Sequence, residues 1–369
     1  MKRLAILLVS CLMCVGLWAE ETTDYIEIRV RESLVLQPGG DAAYVDVWLV
    51  GSRLYSGYNM DIHLPEGLSV DYKNNKPRVT RMGIYPYEED EETGDKTYSH
   101  QLSYTYGVVG DRVLRVACAS LENEALTAAS GQLFRVYLKA DAYAKPGAAE
   151  ITIDGVALKV AGGAEYDPAS RVDTHVAVGT NATTTLSVSG TNHWSTCILP
   201  FDAALPSGVR AFECSDNDGD KLILAEAESI TAYTPYILYS ETGYTGSISG
   251  TVDGSQYPDG GVVVKGYLSG TVVKKSVTSG YVLQNQGEGA KFYLIKEGDE
   301  FVVPAGKCWM NPLSSSVRAF GFDFDSSTRL KATENDKVQS DIYTLQGTRV
   351  KELEAGKLYV KDGKVIMIK

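Results

Sequence analysis

The feature that most narrows the folds open to this chain is strict alternation of apolar and polar residues at period two. In Tyr58-Asn59-Met60-Asp61-Ile62-His63-Leu64 every even position is apolar and every odd one polar. Side chains of a strand point alternately to opposite faces, so such a run puts one face in a core and the other in water. Ala43 to Val50, Phe134 to Lys139 and Glu150 to Ile153 repeat the pattern, with Phe134, Val136 and Leu138 facing one way and Arg135, Tyr137 and Lys139 the other. Pro38-Gly39-Gly40-Asp41, Pro65-Glu66-Gly67, Gly110-Asp111 and Lys145-Pro146-Gly147 punctuate these runs as turns. The spacing predicts an antiparallel sandwich of roughly nine strands, with at most a short helix over Leu121 to Ala129.

At 369 residues the chain is too long for one comfortable core and suits two modules and a small tail. A net charge of −12, with no basic block in the mature chain, disfavours nucleic acid and anionic membrane as partners, because either needs a basic surface to displace counterions. Met1-Lys2-Arg3, an apolar run from Leu4 to Trp18, and Ala19 before Glu20-Glu21 read as a secretory signal peptide cleaved near Ala19. The apolar run, roughly fifteen residues, is shorter than the about 20 that a membrane-spanning helix needs. Leu8-Val9-Ser10-Cys11 offers an alternative, a lipoprotein anchored through Cys11, although the apolar run continues past it.

Loss of Cys11 and Cys14 with the signal leaves Cys118, Cys197, Cys214 and Cys308, widely spaced and without a CxxC. That spacing argues against a metal cage. Cys118 alternates with Leu114 and Val116 and reads as a buried thiol, while export would permit a disulfide, with Cys197 to Cys214 the first expectation.

The opening strand, the Pro-Gly-Gly-Asp turn, the Val-rich strand and then Ser56-Gly57-Tyr58-Asn59-Met60-Asp61-Ile62-His63-Leu64-Pro65-Glu66-Gly67-Leu68 resemble the start of a cohesin-like domain. Leu133-Phe134-Arg135-Val136-Tyr137-Leu138-Lys139-Ala140, a Pro-Gly turn and Glu150-Ile151-Thr152-Ile153 extend the resemblance over most of Tyr25 to Val160. It implies a jelly-roll sandwich of the kind shared with carbohydrate-binding modules, and binding rather than catalysis. The pattern departs from that family between Thr80 and Gly107. There Tyr85, Tyr87, Tyr98, Tyr104 and Tyr106 surround Glu88-Glu89-Asp90-Glu91-Glu92, which reads as a hairpin with a charged tip. Exposed tyrosines can stack on sugar rings or anchor a protein partner; the other reading is cross-strand aromatic pairs that stiffen the hairpin.

Thr180 to Thr185 is small and polar, a linker or an edge strand, and carries the Asn181-Ala182-Thr183 glycosylation triplet. His193 to Phe201 opens a second sheet module as a central strand, sandwich or barrel, because both of its faces are fairly apolar. With Thr231 to Leu238 and Lys307-Cys308-Trp309-Met310 it resembles a module found near the C-termini of exported Bacteroidetes proteins of unknown function. Asp216-Asn217-Asp218-Gly219-Asp220 places carboxylates at alternate positions, as a calcium loop would, but the glycine and the closing glutamate of an EF-hand are missing. A tight turn is the better reading for Asp216, Asp218 and Asp220.

From Asp341, strands at Ile342 to Gly347, Leu358 to Val360 and Val365 to Ile368, with a turn at Asp362-Gly363, resemble the sorting signal of type IX secretion. The expected layout is all-β: signal peptide 1–19, cohesin-like sandwich 20–178, seam 179–192, second sandwich or barrel 193–330, linker 331–340 and a hairpin tail 341–369. His63, His100, His175 and His193 show no metal or catalytic spacing, and no nucleophile motif is present. The chain therefore reads as a secreted or cell-surface binding module without a cofactor, recognising a polysaccharide or a surface protein. Alternatives are a scaffold that docks other envelope proteins, and a glycoside hydrolase, which would need two facing carboxylates.

Overall fold

The computed structural model describes residues 24–30, 33–163, 165–166, 169–172, 175–287, 289–313 and 317–323, and four short strands between 342 and 367. The signal-peptide region with Cys11 and the 331–340 linker lie outside the described residues. The fold is all-β; the only helical pieces among the described residues are two single 3-10 turns, Gly254–Gln256 and Asp259–Gly261. No helix of the described residues is long and apolar enough to cross a membrane.

Alternation sorts the first half into two facing sheets. One runs in the order Ala169–Val172, Tyr25–Arg29, Ala43–Val50, Gly131–Ala140, with Leu68–Val70 and Val79–Arg81 sharing the last strand's outer edge. The other runs His100–Tyr106, Val113–Ser120, Tyr55–His63, Thr152–Val160, Glu165–Tyr166, antiparallel throughout. Val45, Val47 and Leu49 meet Met60, Ile62, Leu114 and Val116 between them, and Tyr58 stacks on Phe134 at 6.1 Å. Arg135, turned outward as expected, forks onto Asp46 at 2.7 and 3.2 Å. Cys118 is buried on the inner face.

Leu121 to Ala129 forms no helix. Long-range bonds claim its backbone instead: Leu126 N–H donates to the Tyr55 carbonyl at 2.7 Å and Thr127 N–H to that of Ile84 at 3.0 Å. These tie the stretch down as an irregular connection across the sandwich end.

The polar stretch after Val178 is a strand, Asn181–Val188, paired along its length with Tyr244–Thr251. Ala182, Leu186 and Val188 point into the second module's core. Where this strand begins, the halves touch: Thr183 N–H donates to the Pro38 carbonyl at 2.8 Å, and a Cβ on Gly39 would stand 1.8 Å from the Thr183 carbonyl oxygen. With φ of +69° as well, position 39 admits glycine alone without strain.

A ten-stranded sheet forms most of the second half, starting Trp194–Cys197, Tyr236–Tyr239, Arg210–Asp218, Lys221–Ala227 and ending Lys307–Met310, Leu268–Thr271, Val262–Lys265. It curls until its first strand meets Lys307–Met310. The Trp194–Cys197 strand is thus terminal in the ladder rather than central. Thr196 Oγ1 closes the gap, donating to the Cys308 carbonyl at 3.3 Å and accepting the Cys308 N–H at 3.0 Å. Phe212, Ile237, Phe292, Met310 and Phe320 fill the inside.

The expected Cys197–Cys214 disulfide is not formed; all four described cysteines are free and buried. The Tyr236–Tyr239 strand lies between theirs. Two inter-strand spacings put the Cα atoms about 10 Å apart, beyond the reach of a disulfide. Asp216, Asp218 and Asp220 lie along the end of a hairpin whose Asp218 pairs with Lys221, and Gly219 takes the positive φ of +61° that the turn requires. In the tail, Ile342–Thr344 pairs with Arg349–Val350 and Leu358–Lys361, and the latter with Lys364–Met367, bracketing the expected 362–363 turn.

Candidate functional site

The His100–Tyr106, Val113–Ser120, Tyr55–His63 and Thr152–Val160 sheet turns one face to the core and the other to solvent. Period two delivers Gln101, Ser103 and Thr105, then Arg115, Ala117 and Ala119, then Asn59, Asp61 and His63 to the open face. Register sets Arg115 opposite Asp61, Ala117 opposite Asn59 and Ala119 opposite Gly57. The face consequently has two chemically different ends.

One end is ionic. Arg115 donates through Nε and Nη2 to both Asp61 carboxylate oxygens at 2.8 and 2.6 Å, and these bonds hold Asp61 below the usual carboxylate range. His63 Nε2 lies 2.9 Å from Asp154 Oδ1, close enough for an ion contact but without hydrogen-bond alignment.

At the other end the side chains are small. Gly57, Ala117, Ala119 and Ala157 floor a hollow of about 320 Å³, with Gln101, Lys159 and Leu121 among the residues around it. A bulge between Asp154 and Ala157 bends the Thr152–Val160 strand, and Asn59 Nδ2 donates to the freed Gly155 carbonyl at 2.8 Å. Leu121 is 90% exposed. Such a floor lets a partner's backbone approach closely, and the leucine offers it apolar area.

The tyrosine-rich insertion joins this end, since His100 pairs with Ser120, next to Leu121. Tyr87–Glu89 and Lys96–Tyr98 form the expected hairpin, with Asp90 accepting the Glu92 and Thr93 N–H groups at its tip. The five tyrosines do not share one surface. Tyr87 and Tyr98 are exposed and face each other at 5.7 Å, with the Lys96 ammonium 4.0 Å from the first ring and the Arg81 guanidinium 4.2 Å from the second. Tyr85 plugs the sandwich end at 2% exposure and shares a 2.5 Å hydrogen bond with Tyr58, and Tyr104 and Tyr106 are half-buried against the core. The inward register of the His100–Tyr106 strand decides this, because residues at even positions there face inward.

The same register buries His100, and burial lowers its pKa. His63 is on the open face, His175 is exposed near Val176, and His193 Nδ1 approaches the Ser240 carbonyl at 3.2 Å. The four rings do not converge. Among the described residues no three His, Cys, Asp or Glu side chains gather as a metal site. Sequence reasoning allowed at most a short helix over Leu121 to Ala129 and did not single out Leu121; its position between Ser120 and Glu122-Asn123-Glu124 was the available signal.

No protein-family profile matches the chain, and no curated protein does. Solved structures do. A non-cellulosomal cohesin from the archaeon Archaeoglobus fulgidus aligns at 14% identity over 42% of this chain and 88% of its own, with a TM-score of 0.27. A chain of a type I cohesin–dockerin complex from Clostridium thermocellum aligns at 19% identity over 42% and 97%, with a TM-score of 0.30. The cohesin module of a Clostridium perfringens family 33 glycoside hydrolase aligns at 12% over 41% and 98%, with a TM-score of 0.28. Likeness at this level speaks to no ligand.

Proposed function

We propose that this chain is a non-catalytic docking protein whose first module binds another protein on the open face of the five-stranded sheet. The observation that carries the reading is the small-residue hollow with Leu121 fully presented beside it and the exposed Tyr87–Tyr98 hairpin at the same end. An apolar anchor beside a close-approach floor, with an ionic end to set orientation, suits a protein partner. The cohesin-like pattern of Tyr25 to Val160 points the same way. Tyr87 and Tyr98 support the polysaccharide alternative more weakly, because their faces already carry Lys96 and Arg81.

We place the protein outside the cell, exported by the Met1 to Ala19 signal, with the C-terminal strands as the sorting element; anchorage through Cys11 is the alternative. The mature protein, immobilised and exposed to an envelope extract of the source cell, should retain one discrete protein. Ala119→Arg with Leu121→Asp should abolish that retention without moving the melting temperature. Retention undiminished in the double variant, or a polysaccharide retained in place of any protein, overturns the reading.

A further inference from the structure

Where the second module's sheet closes on itself, the ladder between Trp194–Cys197 and Lys307–Met310 is replaced by side-chain bonds, and a pocket of about 390 Å³ opens beside it. Val282 and Phe301 wall it, Gln284 stands at its margin, and Lys307 reaches it; Trp194 and Asn285 also line it but are engaged elsewhere, the first stacked on Phe322 at 3.9 Å and the second bonded to Asn192. The volume is that of a small-molecule site.

Lys307 is the informative residue. Its half-buried ammonium donates to Ser195 Oγ at 3.0 Å and to the Thr196 carbonyl at 3.2 Å, both neutral acceptors. An ammonium has three donors, and among the described residues no carboxylate pairs with this one. A partly desolvated cation whose charge is unmatched attracts an anion far better than a solvated surface lysine does. Bonding the seam alone would require only a neutral donor, and the charge is what remains to be used.

We propose that this pocket binds a hexuronate residue of a glycan, its carboxylate on Lys307 Nζ, its ring against Val282 and Phe301, and its hydroxyls on the Gln284 amide. Carboxylate, flat apolar ring face and hydroxyls match the three kinds of group present. The net charge of −12 repels a run of acidic sugars, so the fitting ligand is a single uronate in an otherwise neutral chain. This site is independent of the docking face on the first module.

Calorimetric titration of the mature protein with methyl glucuronoside, methyl glucoside and benzoate tests the proposal. The glucuronoside should bind at least about tenfold tighter than the glucoside, and the difference should shrink in high salt. Lys307→Gln, which keeps a donor for Ser195 and Thr196, should erase that preference, while Lys307→Arg should keep it. Equal affinity for the two sugars in the unaltered protein overturns the proposal, whether or not the variants fold. So does an unchanged preference in a folded Lys307→Gln protein, and binding of benzoate alone overturns the sugar assignment.

Discussion

Tyr58 and Tyr85 meet hydroxyl to hydroxyl, 2.5 Å apart, inside the first sandwich. Tyr58 comes from the inner face of a regular strand and Tyr85 from the loop ahead of the tyrosine hairpin, so one buried polar contact fixes the insertion to the core. Removing the Tyr85 hydroxyl leaves that of Tyr58, buried, with only the weakly bonding Cys118 thiol beside it. Tyr85→Phe should therefore cost about 1–3 kcal/mol, whereas Tyr58→Phe with Tyr85→Phe should recover most of that loss. Urea unfolding of the two single variants and the double variant measures the coupling.

His100 gives the first module an acid sensitivity. Burial lowers its folded pKa, so the unfolded chain takes up the proton first as pH falls. Stability is full above the unfolded value of about 6.5 and is lost as pH drops through the folded one. Melting temperature should decline from pH 7.5 to 5 in the parent and decline less in His100→Gln.

The four buried cysteines should be silent to a thiol reagent in the native protein. Burial pushes the Cys118 thiol up to about 11 and those of Cys197 and Cys214 to about 12, and raises Cys308 well above its ordinary value. A chain lacking residues 1–19 should label at none of them at pH 8 and at all of them in denaturant. The same shifts make stability fall as pH rises past about 8.5, where only unfolded thiols ionise.

We place the boundary between the modules before Asn181, because the Asn181–Val188 strand pairs along its length with Tyr244–Thr251. A chain of residues 20–179 should melt cooperatively, because the first core is drawn from Ile26 to Val178. A chain starting at Gly190 loses Ala182, Leu186 and Val188 from the second core. At about 1.5–3 kcal/mol for each large aliphatic side chain, that module should not fold. Circular dichroism melts of the two fragments distinguish these outcomes.

What the sequence determined by itself was the local pattern. Period two named the inner residues of Tyr55–His63 and Gly131–Ala140, assigned Cys118 to the core, and located the hairpins at Asp90 and Gly219, because strand faces and tight turns depend on neighbours in the chain. Tertiary structure decided which faces met. The five tyrosines share a composition but divide by register, with Tyr87 and Tyr98 outside and Tyr85 held by Tyr58. Cys197 and Cys214 lie 17 positions apart in sequence and are kept apart by a strand that arrives later in the chain. Leu121, Gly39 against Thr183, and Lys307 at the seam acquire their roles only when distant strands are laid side by side. Such contacts leave no periodic trace, since alternation records which way a side chain points and not what waits there.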